Sequence, residues 1–211
     1  MPPARGDHEA RRQDVSEAVW QVLAAKGFAG LTLRAVAAEM GASTGLLMHY
    51  FPTKRALVAH ALGILEQRTA ERPRRERPSP GLASLRAVLI DILPLAPDAA
   101  DRNRIWVASW DVALSDDGLG RDQAERYARM RDGLRTHLDE AVALGELPPH
   151  ADPGGLAATA VAFVHGLVVQ ALFDPAALPP ARQTALVDDF LAGLRAPRTG
   201  SADPTAVGPA S

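Results

Sequence analysis

Apolar positions in the first third of the chain recur at helical spacing. Val15, Ala18, Val19, Val22 and Leu23 form one stripe, and Gly27 follows where a left-handed C-terminal cap would sit, so the pattern predicts a helix over residues 11–26. After Leu31, Thr32 is a capping residue ahead of Leu33, Val36, Ala37 and Met40, which predict a short second helix ending at Gly41. Ser43 caps a third short helix from Thr44 to Tyr50, and Pro52 stops it by pushing the preceding residue out of helical geometry. Thr53 then caps a longer fourth helix that carries Leu57, Val58, Ala61, Leu62 and Leu65 on one face.

Residues 72–81 hold three prolines and almost nothing apolar, which makes them the candidate linker. Beyond them, helical segments are predicted near residues 82–93, 99–114, 121–144, 153–173 and 180–194, each fenced by proline, glycine or aspartate. No strand pattern competes. From residue 196 onward Pro, Gly, Ser, Thr and Ala leave little to bury, so residues 196–211 are expected to be a disordered tail. The expected fold is all-α. An N-terminal three-helix domain occupies residues 1–62, helix 4 connects to about residue 71, and a C-terminal helical bundle occupies residues 82–195.

Composition narrows the function. A chain of 211 residues without cysteine has no disulfide framework, thiolate metal site or cysteine nucleophile. The polar N-terminus lacks the apolar stretch of a signal peptide, and no run approaches the ~18 uninterrupted apolar residues of a spanning helix. The expectation is a soluble, cytoplasmic protein with no membrane partner. Residues 1–80 carry twelve Lys/Arg against eight Asp/Glu, and residues 81–211 carry eleven against seventeen, so a net charge of +4 in front opposes −6 behind. That asymmetry fits a front that meets a polyanion. Phosphate-cradling glycine loops, His-Glu-x-x-His, a nucleophile elbow and clustered metal ligands are all missing, and the six histidines are scattered. No catalytic residue, cofactor or metal is expected.

Two short helices separated by a glycine turn have the proportions of a helix-turn-helix, whose second helix lies in the major groove of DNA. Gly41 suits the sharp turn because glycine takes positive φ without steric cost. The second helix presents Ser43, Thr44, Gly45, His49 and Tyr50, which are small or hydrogen-bonding and can reach phosphates or base edges. Leu47, with or without Leu46, would point inward.

The run from Gly27-Phe28 through Leu31-Thr32-Leu33-Arg34-Ala35-Val36-Ala37 to Gly41-Ala42-Ser43-Thr44-Gly45-Leu46-Leu47-Met48-His49-Tyr50-Phe51-Pro52-Thr53-Lys54-Arg55-Ala56-Leu57 resembles the N-terminal domain of the TetR family over about residues 12–62. The resemblance implies a homodimeric repressor on a palindromic double-stranded operator, released by a small-molecule effector. It also implies that Thr32 and Arg34 hold a phosphate at the start of helix 2, and Lys54 another at the start of helix 4. Thr44, Gly45, Leu46 and His49 would face base edges, with Tyr50 where the family often places a phosphate-binding ring. One departure is Met48, where the family frequently has tyrosine; it is either an apolar contact to a thymine methyl or packing. Leu46 is either contact or core, and His49 either contact or an exposed residue that touches nothing.

Arg104 to Trp110 and Val164 to Pro175 are similar to the C-terminal domain of the BetI-like subgroup, which implies that the last two helices pair with their twofold mates. Trp106 and Trp110, one helical turn apart, either wall an effector pocket through their π surfaces or belong to the core. His137 and His165 interrupt apolar faces and either orient a ligand or are satisfied core residues; Tyr127, Met130 and Phe163 are candidates for the same space. The competing reading keeps the fold as a ligand-independent regulator or interaction module with a collapsed pocket.

Overall fold

The computed structural model describes residues 5–70 and 78–195; the expected tail and most of the expected linker lie outside the described residues. Among the described residues all regular structure is helical: α1 (Arg5–Gly30), α2 (Leu33–Glu39), α3 (Thr44–Tyr50), α4 (Lys54–Ala70), α5 (Leu82–Ile92), α6 (Pro97–Leu114), α7 (Asp117–Ala143), α8 (Pro153–Phe173) and α9 (Pro180–Leu194).

Local chemistry explains most boundaries. Gly27, with φ 62° and ψ −171°, breaks α1 where the cap was expected, although the helix begins six residues before the predicted Arg11. Thr32 Oγ1 accepts the Ala35 N–H at 3.1 Å and Ser43 Oγ accepts the Leu46 N–H at 3.3 Å, each satisfying a donor that a helix start leaves free. Two further helices also start earlier than the pattern predicts. Proline is tolerated at the first helical position, so α6 begins at Pro97 rather than Ala99. Asp116 caps α7 by accepting from Gly118 and Leu119, so α7 begins at Asp117 rather than Arg121.

The apolar faces close two cores. Val19, Leu23, Leu31, Val36, Leu47, Leu57 and Leu65 form the first, between α1, α2, α3 and α4. Ile105 and Ala113 of α6 and Leu119 of α7 are buried in the same cluster, so helices beyond α5 complete the core of the first four. Leu85, Leu89, Leu134, Leu138, Ala160, Val164 and Val187 make the second core, from α5, α7, α8 and α9. Burying one such side chain fully stabilises the fold by about 1.5–3 kcal/mol relative to exposure.

By length and composition α8 alone would pass for a membrane span among the described helices. Here it is the central helix of the second core, burying Ala157, Ala160, Val161, Val164, Leu167, Val168 and Ala171. Its other face stays open, and Phe173 at its end is 84% exposed.

Candidate nucleic-acid interface and aromatic cluster

Helices α2 and α3 meet at Gly41, whose φ of 61° places it in the left-handed region. Val36 and Ala37 of α2 and Leu47 of α3 are anchored in the first core, which fixes how the second helix stands on the first. The opposite side of α3 faces outward. Ser43, Thr44, Gly45 and His49 are exposed, Met48 is 59% exposed, and Leu46 and Tyr50 are half-buried. The Tyr50 ring lies 6.4 Å from Phe51, so it packs on the first core as well as reaching its edge.

Two cations flank this face. Arg34 on α2 and Lys54 at the start of α4 are exposed and form no ion pair among the described residues. Thr53 Oγ1 accepts the Ala56 N–H at 3.1 Å, so α4 starts with a satisfied cap beside Lys54. An outward face of small hydroxyls and an imidazole, bracketed by unpaired cations and free of exposed carboxylates on α3, can approach a polyanion closely.

The seven candidate effector residues separate into groups. Trp110 of α6, Tyr127 of α7 and His165 of α8 come together: the His165 ring lies 5.7 Å from Trp110 and 5.3 Å from Tyr127, both edge-on. Burial holds the His165 imidazole below its ordinary pKa and pushes the Tyr127 phenol up. A neutral imidazole between two aromatic rings forms an apolar-to-polarisable surface with one ring nitrogen to donate.

The other candidates point elsewhere. Trp106 turns to the seam between the two cores, where its Nε1–H donates to Thr69 Oγ1 at 3.3 Å and the Arg126 guanidinium lies 4.7 Å from its ring centroid. Phe163 stacks on Phe190 of α9 at 4.7 Å, and Met130 packs on the second core. His137 pairs with Glu140 at 3.4 Å, and Glu140 also accepts the Gly81 N–H that opens α5.

The seam carries groups that spacing alone did not reveal. Glu66 of α4 accepts from Arg126 at 3.1 Å and Arg129 at 3.0 Å. Burial raises its pKa, but the hydrogen bonds and charges of the two arginines outweigh that and hold the carboxyl below the usual range. Farther down, Arg55 of α4 pairs with Asp116 at 3.4 Å. A cleft of about 250 Å³ lies between these ties, with Ala59, Leu62, Glu66, Leu119, Gln123 and Arg126 on its walls. It includes none of the seven candidate effector residues. The signal available in the sequence was Glu66 on the polar side of helix 4, but its partners lie some sixty residues away.

Comparison with known proteins identifies what the chain is similar to. A family model described as "Bacterial regulatory proteins, tetR family" matches residues 17–61, and one described as "BetI-type transcriptional repressor, C-terminal" matches residues 81–196. The chain is 28% identical to the transcriptional regulator PksA of Bacillus subtilis over 82% of this chain and 84% of that protein. Among solved structures, a transcriptional regulator from a Rhodococcus species is 27% identical with a TM-score of 0.68, covering 86% of this chain and 94% of the other. A regulator from Saccharomonospora viridis, solved in complex with choline, is 19% identical and shares the fold with a TM-score of 0.76 over 90% of this chain and all of that one.

Proposed function

The chain belongs to the TetR family of bacterial transcriptional regulators, and from that premise we propose that it is a homodimeric, cytoplasmic repressor released from a palindromic operator by a small molecule. The observation that carries the reading is α3: a seven-residue helix seated by Leu47, exposing Thr44, Gly45, Met48 and His49 between the unpaired cations Arg34 and Lys54. The division of labour follows the two cores. Residues 1–62 read DNA, α4 connects, and residues 82–195 dimerise and sense. The regulator acts by binding and catalyses nothing.

In this reading Thr44, Gly45, Leu46, Met48 and His49 meet base edges, while Thr32, Arg34, Ser43, Tyr50 and Lys54 hold the backbone. The open face of α8, with α9, supplies the interface with the second copy, since a twofold contact matches one surface to itself. The two α3 helices of the dimer then stand about 34–36 Å apart, one turn of B-DNA.

Trp110, Tyr127 and His165 are the effector-contacting set best supported, because three different helices bring them together. Two aromatic faces suit an apolar or cationic ligand, and the choline complex of the Saccharomonospora viridis regulator is consistent with that class. A specific observation favours the second reading, a regulator without an effector: the His165 ring packs edge-on against both Trp110 and Tyr127, and the separate cleft lies at the seam. An effector must therefore part these rings. If it binds the DNA-competent state less well, DNA weakens its binding by the same factor.

The test is selection from a random double-stranded pool with the purified protein, then titration of the winner against salt. A palindromic winner with a steep salt slope supports the reading. No enrichment at any salt concentration overturns it.

A further inference from the structure

Arg55 follows Lys54 at the DNA-proximal start of α4, where a second phosphate ligand would be expected. The geometry sends it the other way. Its Nε lies 3.4 Å from Asp116 Oδ1, and that oxygen also accepts the Gly118 N–H at 2.9 Å and the Leu119 N–H at 3.0 Å. Gly118 is buried, and a Cβ there would overlap the Arg55 guanidinium, so the missing side chain is what leaves room for the arginine. One carboxylate oxygen thus gathers the first turn of α7 and the first turn of α4.

Eleven residues along α4, Glu66 takes Arg126 and Arg129 of α7. The contact points advance in the same direction on both helices, so α4 and the first half of α7 run side by side and are tied at two places. α3 is seated by Leu47 in the core that α4 shares with α1 and α2, so a change in the direction of α4 carries that whole unit with it, α3 included.

We infer that Arg55 is a positioning residue for DNA binding: a strut that sets the angle of α4, and with it α3, against α7 through Asp116 and the notch at Gly118. The inference rests on the DNA-binding function proposed above. The Arg55 side chain is 57% exposed and that of Asp116 34%, and such a pair adds little to global stability. Its effect lies in orientation, which operator affinity reads and melting temperature does not.

The experiment titrates the selected operator with full-length wild type, R55Q, D116N, G118A and the R55Q/D116N double variant at several salt concentrations. Asparagine keeps an oxygen to cap α7, and alanine at 118 displaces only the guanidinium. The strut requires the three single variants to shift affinity by one common factor, about two- to five-fold. The double variant should shift it no further, the salt slope should stay that of wild type, and R55K should restore most of the affinity. If R55Q alone weakens binding and lowers the slope by about one, Arg55 is a phosphate ligand and the inference fails. Additive effects of R55Q and D116N sink it equally. If wild type binds no duplex, the DNA-binding function fails separately, and the strut is judged without DNA. The chain has no cysteine, so a nitroxide on E39C labels one exposed site per copy. R55Q and D116N must broaden the label-to-label distance distribution alike, and an unchanged distribution overturns the strut.

Discussion

The guanidinium of Arg126 lies 4.7 Å from the centroid of the Trp106 ring, so a residue of α7 covers the tryptophan of α6 that was a candidate wall for an effector. The same guanidinium donates to Glu66 and to Gln123, which makes it the point where α4, α6 and α7 meet.

Arg126→Ala removes the stack and both hydrogen bonds from a side chain only 18% exposed, and should lower unfolding free energy by about 1–3 kcal/mol. Arg126→Lys keeps the charge but not the planar fork, and should recover less than half of the loss. Urea unfolding measures both. A change within about 0.5 kcal/mol, the range of plain surface sites, would show that the seam does not depend on this residue.

Lys54→Ala should weaken binding to all duplexes and flatten the dependence on salt by about one unit of slope, as expected for one phosphate contact. Thr44→Ala or His49→Ala should change the ranking of operator variants. Equal losses across all variants would mean that α3 presents a different face to the bases.

Gly41→Ala isolates a backbone cost. No atom lies within 4 Å of the position a Cβ would take, so the penalty is that of a left-handed φ alone, about 1–2 kcal/mol. Thermal unfolding should show it, together with weaker operator binding as the turn opens. An unchanged melting temperature would place the strain elsewhere.

Acidification should destabilise the fold through two histidines. Burial, with help from Arg12, holds His60 below the ordinary 6.5, and burial alone does the same for His165. A histidine with a lowered folded pKa leaves the unfolded chain binding more protons. Its contribution is therefore fully present above about pH 6.5 and is lost as pH falls through the folded value. Melting temperature followed from about pH 8 to about pH 5 should drop. The drop should be shallower in His60→Gln, which retains a partner for Ser16, and in His165→Phe, which retains the ring. A melting temperature that rises on acidification would contradict both assignments.

What the sequence disclosed follows from how local each determinant is. The bounds of α3, α8 and α9 were legible because their caps and prolines sit within a few residues of the helix they start or stop. Gly118 and Gly120 fall in the stretch that fences off the predicted helix, yet both lie inside α7, because Asp116 caps its first turn by accepting from Gly118 and Leu119. The i, i+4 spacing placed Trp106 and Trp110 on one face but could not tell that the first turns to Thr69 and Arg126 while the second meets His165. Periodicity gives a direction around a helix axis; the neighbour in that direction comes from another part of the chain.

Ile105, Ala113 and Leu119 sit in the same cluster as Leu47 and Leu57. During synthesis, then, helices α1 to α4 cannot finish burying their apolar faces until the ribosome has delivered residue 119. A nascent chain halted before that point would offer its unfinished core to chaperones. A fragment cut at the end of α4 would carry the same exposed apolar seam, so the first core closes only after α6 and the start of α7 have been made.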